Sequence, residues 1–161
     1  MTEQPRVALV PGVLALLPEH ASLVDPVAEL RAAAVAAVRW LGPEASVVAD
    51  AQGERVAAAL MDAAGVRRGG STAYLVVGNG TAKRSEKAPG HLDDRAFAFD
   101  SALRDALVAG DLSGVDWSLA EELWASVDGL RRATDLVAGP ATVDYDDDPY
   151  GVQYWVMRWG S

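Results

Sequence analysis

The sequence contains no cysteine and only two histidines, His20 and His91. The lack of cysteine excludes disulfides, iron–sulfur clusters, thiolate zinc sites and cysteine nucleophiles. A catalytic iron, copper or zinc site would therefore combine these imidazoles with carboxylates, because those ligand types remain. Carboxylates at the expected ligand edge of the fold are Glu19 and Asp50.

Positive charge is also scarce, since 14 basic residues face 23 acidic ones and the net charge is −9. Such a field repels phosphate backbones and anionic lipid headgroups, so we expect neither nucleic-acid nor membrane partners. No apolar run reaches the roughly 18 to 20 residues that span a bilayer, and residues 1–6 lack the pattern of a signal peptide. We therefore expect a cytoplasmic protein.

What is present is typical of one globular domain over residues 1–161, half of them hydrophobic. Short apolar runs at residues 7–10, 46–49 and 72–77 predict buried strands. Helical patterns separate them, one capped by Asp25 and Pro26 and one ended by Gly65. This alternation predicts an α/β fold with a mostly parallel or mixed central sheet and helices on both faces.

The second half adds further elements. Asp93 or Asp94 is expected to cap a helix that Gly110 ends, and a capping box from Ser118 to Glu121 predicts a helical pair reaching residue 138. A strand at residues 142–145 precedes an acidic turn at residues 146–151. The last strand, residues 152–159, is apolar on both faces. The acidic turn either binds a divalent cation or caps this strand.

Ligands of such sheets collect beyond the carboxyl ends of the strands, which here means residues 11–20, 50–53 and 78–91. The segment 78–91 combines small residues with several cations. Outward-facing backbone amides and cations there would bind a carboxylate or phosphate. The alternative is an ordered surface loop in which Glu86 pairs with a lysine. With one residue from the acidic turn, the candidate ligand-binding residues are Asn79, Gly80, Thr81, Lys83, Arg84, Glu86, Lys87 and Tyr150.

Three blocks of sequence together suggest a family. They are the strand and loop of residues 75–93, the Phe99-Asp100 helix, and residues 145–154, which read YDDDPYGVQY. With the opening strand and its proline, they resemble the small actinobacterial branch of class III extradiol ring-cleavage dioxygenase subunit-B-like proteins. The resemblance implies that family's α/β core with a mixed sheet. It also implies a ferrous iron held by two histidines and a glutamate, with a further histidine as acid/base.

The chain departs from the family pattern at these positions. Pro11-Gly12-Val13 stands where relatives carry a histidine, and Thr81-Ala82 replaces their serine-histidine pair. The segment between the second strand and second helix is reduced to residues 50–53. The usual iron triad is therefore missing, and we expect no cofactor.

These patterns leave three hypotheses. The leading one is a diverged, iron-free relative that binds a small anionic or aromatic molecule, or a protein partner, at residues 78–91. The second is a metal-dependent ring-cleavage enzyme in which His20 and His91, with Glu19 or Asp50, hold Fe(II) or another divalent metal. Otherwise His20 is a solvated loop residue, and His91 stacks or donates a hydrogen bond. The third is a structural subunit of a complex, and exposed members among the five tryptophans would then mark a homodimer or other interface.

Overall fold

The computed structural model describes residues 4–17 and 27–160. Within these ranges it contains six strands and five helices. The strands are β1 Arg6–Val10, β2 Glu44–Val48, β3 Arg67–Arg68, β4 Ala73–Val77, β5 Thr142–Asp147 and β6 Tyr154–Trp159. The helices are α1 Ala28–Trp40, α2 Ala51–Ala64, α3 Arg95–Ala109, α4 Trp117–Glu122 and α5 Asp128–Arg132. None of these helices is long and apolar enough to cross a membrane.

All six strands form one sheet in the order β3-β2-β4-β1-β6-β5. The first four strands of that order are parallel. β6 runs antiparallel to both of its neighbours, β1 and β5. The mixed sheet is as predicted, although the two-residue edge strand β3 was not anticipated.

Helices cover both faces of the sheet, which confirms the predicted layers. One apolar cluster packs α1 and α2 against the sheet, and a second packs α3, α4 and α5 against the other face. β6 contributes side chains to both clusters. Tyr154 and Val156 belong to the first cluster, and Trp155 and Met157 belong to the second. Alternate side chains of a strand point to opposite faces, so a strand apolar throughout belongs inside a covered sheet.

The helix ends follow the sequence signals only in part. Gly65 and Gly110 end α2 and α3 in the left-handed conformation, at φ of 72° and 73°. The predicted capping box at Ser118 is wrong, because Asp116 is the cap and its Oδ1 accepts a 3.1 Å hydrogen bond from the Leu119 amide. The expected cap of α1, Asp25 with Pro26, lies outside the described residues.

Asp93 and Asp94 were the two predicted caps of α3, and each has one of the two properties of a cap. Asp94 occupies the N-cap position without a side-chain hydrogen bond. Asp93 instead accepts a 2.9 Å hydrogen bond from the Arg95 amide. Further along the chain, β5 continues through Asp147, so the first two aspartates of the acidic segment are in a strand rather than a turn.

Candidate functional site

The carboxyl ends of β2 and β4 are covered by α5. At Gly129, a Cβ atom would lie 2.4 Å from the Val77 carbonyl oxygen and 2.8 Å from that of Val48. The Arg132 guanidinium donates a hydrogen bond to the Ala49 carbonyl just beyond β2. The crevice in which α/β sheets usually bind ligands is thus filled by the protein's own backbone at these two strands.

Asn79 holds this closed edge together. Its backbone exchanges hydrogen bonds of 2.9 and 3.1 Å with Ser126, in the segment that leads into α5. Its side-chain oxygen accepts from the Gly12 amide at 3.3 Å, and its side-chain nitrogen donates to the Gly80 carbonyl at 3.1 Å. With its side chain 8% exposed, Asn79 links the ends of two strands and does not face a ligand.

Gly80 and Thr81 are equally part of the interior. A Cβ atom at Gly80 would lie 2.5 Å from Oδ1 of Asp100, so only glycine fits there. Thr81 is fully buried and donates to Asp100 twice, from its amide at 2.9 Å and from its hydroxyl at 2.7 Å. We expected Gly80 and Thr81 to contact a ligand directly. In the structure, contacts with Asp100 inside the protein take that place.

Asp100 is the buried centre of a charged network. Arg84 donates to it at 3.0 Å and to Asp148 at 2.8 Å, so one guanidinium joins α3 to the turn before β6. Burial raises the pKa of the Asp100 carboxyl, while hydrogen bonds from Thr81 and Arg84 act in the opposite direction. For Arg84, desolvation lowers the pKa, but the bonds to Asp148 and Asp100 outweigh it and the pKa is raised.

The helical pattern of α3 marks Asp100 as a buried carboxylate, which was not predicted from the sequence. Ala96, Leu103 and Leu107 form the buried stripe of α3, and Asp100 falls in register with them. A carboxylate within an apolar helical stripe needs hydrogen-bond partners. The sequence alone did not indicate that Thr81 and Arg84 are those partners.

The backbone amides in the first half of the loop, residues 78–84, were expected to bind an anion. Five of them instead donate hydrogen bonds to carbonyls of other segments. Lys83 is likewise engaged, since its ammonium donates to the Gly90 carbonyl at 2.9 Å and lies 5.2 Å from the centre of the Trp124 ring. The alternative in which Glu86 pairs with a lysine is not found among the described residues either. The amide bonds are Gly78 to Val10, Asn79 to Ser126, Gly80 to Gln153, Ala82 to Leu123, and Arg84 to Gly151.

The second half of the loop is different, because Glu86, Lys87 and His91 are exposed. A hollow of about 370 Å³ lies between this half and the turn before β6. It is lined by Ser85, Lys87, Asp148, Pro149, Tyr150 and Gly151. The structure thus brings two predicted ligand-binding residues, Lys87 and Tyr150, to one hollow.

A smaller hollow, of about 210 Å³, adjoins the Arg84 network. Its cations are already paired, since Arg84 bonds to Asp100 and Asp148 while Arg104 donates to Asp146 at 2.7 Å. Carboxylates therefore offset both guanidinium groups. An anion would gain less here than beside Lys87, for which no ion pair or hydrogen bond is found among the described residues.

No protein-family model matches the chain, and a search of curated proteins found no match. The resemblance to class III extradiol dioxygenase subunit-B-like proteins therefore stays a prediction from the sequence.

The predicted metal ligands are only partly described. Nδ1 of the exposed His91 lies 3.3 Å from the Glu86 carbonyl oxygen, and Asp50 caps α2 by accepting from the Gly53 amide at 2.7 Å. His20 and Glu19 lie outside the described residues. Within residues 4–17 and 27–160, no three His, Asp or Glu side chains are grouped closely enough to hold a metal. A three-ligand centre would need a ligand from outside these ranges.

Proposed function

We propose that the protein is a diverged, iron-free member of the class III extradiol dioxygenase subunit-B-like family that binds a small aromatic carboxylate. The site is the hollow between residues 85–91 and the turn before β6. The observation that carries this proposal is that the exposed residues Lys87 and Tyr150 line the same hollow. The resemblance of residues 75–93 and 145–154 to the family supports the remainder.

The chemistry of the hollow fits an anion attached to a ring. Lys87 is one of only two lysines in the chain, and the other, Lys83, is engaged by Gly90 and Trp124. The Lys87 ammonium, which has no partner within residues 4–17 and 27–160, offers a charge-assisted hydrogen bond to a carboxylate. The Tyr150 ring, 40% exposed, offers a stacking surface for an aromatic ring. Asp148 also lines the hollow and is offset in part by its 2.8 Å bond to Arg84, which it shares with Asp100.

Calorimetric titration with benzoate tests the site, with acetate and benzyl alcohol as probes that lack the ring or the charge. We expect benzoate to bind more tightly than either. Lys87→Gln should weaken benzoate binding by roughly tenfold or more, because it removes a charged hydrogen-bond donor. Tyr150→Ala should weaken it by roughly threefold to tenfold through lost stacking.

Arg67→Gln is the matched control. It removes the same charge from an exposed position on β3, at the far edge of the sheet from β5. It should leave benzoate binding unchanged. Equal affinities for Lys87→Gln and Arg67→Gln, or no benzoate binding at all, would contradict the proposed site.

The iron-free part of the proposal is tested separately. Elemental analysis of protein purified without chelator, followed by assay with Fe(II) and catechol, should show neither stoichiometric iron nor ring opening. Stoichiometric Fe(II) uptake together with catechol cleavage would overturn this part. Loss of that metal in His20→Ala and His91→Ala would then establish the alternative enzyme.

A second candidate function, docking of a protein partner, is favoured by the exposed apolar side chains. The exposed large hydrophobic residues of the described ranges are Leu92, Phe97, Trp124 and Tyr150. Leu92 belongs to residues 83–92, and the other three lie beside this segment. Exposed aromatic groups beside arginine are typical of interfaces. If the partner is a second copy, sedimentation should show a dimer that dissociates more readily in Trp124→Ala. A monomer at every concentration would exclude that partner.

A further inference from the structure

A groove of about 500 Å³ lies between α3 and residues 111–119, apart from the hollow proposed above. Its apolar wall includes Ala98, Ala102 and Ala106, which follow one another at one-turn spacing on α3. The rise of an α-helix makes this row about 12 Å long. Phe99 and Leu103, both buried, also line the groove. The groove is thus long, narrow and mainly hydrocarbon.

The opposite wall is kept in place by local bonds. Gly110 turns the chain at φ 73°, and Asp111 accepts hydrogen bonds from the Ser113 amide at 3.0 Å and the Ser113 hydroxyl at 2.6 Å. Asp116 then caps α4. Between them, Gly114 has no heavy atom within 4 Å of its Cβ position. This wall is therefore held by hydrogen bonds of its own, with open space at Gly114.

Three charged residues line the groove, namely Arg95, Asp111 and Asp116. Arg95 is offset by Asp93 at 2.9 Å and by Glu122 at 3.4 Å. On the wall that faces α3, Asp111 and Asp116 have no cationic partner among the described residues. Hydrogen bonds from Ser113 lower the pKa of the Asp111 carboxyl, so it is ionised at neutral pH. The wall formed by residues 111–116 therefore carries negative charge that no protein cation offsets within the described residues.

From this geometry we propose that the groove binds an elongated apolar amine, with its hydrocarbon along Ala98 to Ala106 and its ammonium group beside Asp111 and Asp116. The recognised chemistry is a cationic head on a hydrocarbon chain. This binding does not depend on the aromatic-carboxylate site, which lies elsewhere and attracts the opposite charge.

Octylammonium, octanol and octanoate each contain eight carbons and differ in head-group charge, so their titration against the full chain tests the proposal. We expect octylammonium to bind most tightly and octanoate most weakly. Shortening the amine should weaken binding by about fourfold for each methylene removed, as expected for burial of hydrocarbon.

Two pairs of variants separate the hydrocarbon contact from the charge contact. Ala102→Leu fills the groove from an exposed helical position, whereas Ala109→Leu adds the same side chain to α3 outside it. Only the first should reduce octylammonium binding, by tenfold or more. Both keep helical propensity, so both should fold.

The charge is tested by Asp111→Asn with Asp116→Asn, since asparagine keeps the oxygen that accepts the capping bonds. Asp105→Asn, on the exposed surface of α3 outside the groove, is its control. The double variant should bind octylammonium at least tenfold more weakly and leave octanol unchanged. Undiminished binding in Ala102→Leu, or octanoate binding as tightly as octylammonium, would overturn the proposal.

Discussion

The two halves of the segment 78–91 have similar polar sequences but different roles in the structure. In the inner half, Asn79 and Thr81 are buried and their polar groups bond to neighbouring segments. In the outer half, Glu86, Lys87 and His91 are exposed. A polar residue directly after a buried strand is therefore not automatically a ligand contact. The fold uses those polar groups first, and only the residues further from the strand remain available.

The largest expected difference between the halves concerns Asp100, which anchors the inner half. Asp100→Ala leaves the Thr81 amide and hydroxyl without an acceptor and removes one partner of Arg84. We expect it to lower the free energy of unfolding by about 3 kcal/mol, measured by urea denaturation. Asp105→Ala, at an exposed position of the same helix, should change it by less than about 0.5 kcal/mol. Equal effects would contradict a structural inner half.

A smaller loss is expected when the closed carboxyl edge is disturbed. Gly129→Ala places a Cβ atom against the Val77 and Val48 carbonyl oxygens, which cannot move without shifting their strands. Overpacking of this kind should cost about 2 kcal/mol, measured by thermal and urea denaturation.

Gly114→Ala is the matched control for this substitution. Its Cβ atom meets nothing within 4 Å, and the change should be neutral or slightly stabilising. A fully stable Gly129→Ala variant would mean that α5 does not seal the edge.

The two lysines give a third and smaller contrast. Lys83→Ala loses the 2.9 Å bond to Gly90 and the contact with the Trp124 ring, and we expect about 1 kcal/mol of destabilisation. Lys87→Ala should change stability by less than about 0.5 kcal/mol, because its side chain is exposed and unpaired within the described residues. Urea denaturation of both variants checks this prediction, and the reverse order would contradict it.

The smallest expected effect is in how stability depends on pH, where Asp93 and Asp100 should act with opposite sign. Hydrogen bonds from Arg95 lower the pKa of Asp93 to about 2, so its contribution to stability is present above its ordinary pKa of about 4 and is lost as pH falls towards 2. Burial raises the pKa of Asp100. The contribution of Asp100 to stability is therefore complete below the ordinary pKa of an aspartate, and it declines as pH rises through the raised pKa. Carboxyl NMR titration should place the Asp93 midpoint below that of Asp100. The opposite order would contradict these environments.

Local sequence signals predicted much of the fold and little of the site. The apolar runs of β1 and β4, the two-faced pattern of β6 and the terminal glycines Gly65 and Gly110 are local features, and the structure contains them. The cap at Asp116 was missed because Ser118 and Glu121, two and five residues later, match the capping-box pattern by themselves.

The roles of the site residues depend on contacts between distant segments. Thr81 and Asp100 are 19 residues apart, and Arg84 and Asp148 are 64 apart. No local pattern specifies such pairs. The same is true of α5, whose packing at Gly129 closes the edge where the sequence placed the ligand.

The presence of only two lysines allows the central claim to be tested directly. Reductive methylation with ¹³C-formaldehyde labels Lys83, Lys87 and the terminal amine, and each gives its own NMR signal. Titration with benzoate should shift the Lys87 signal in a saturable manner and leave the Lys83 signal in place, because only the outer lysine faces the hollow. A shift of Lys83, or no shift of Lys87, would contradict the division of this loop into a structural half and a binding half.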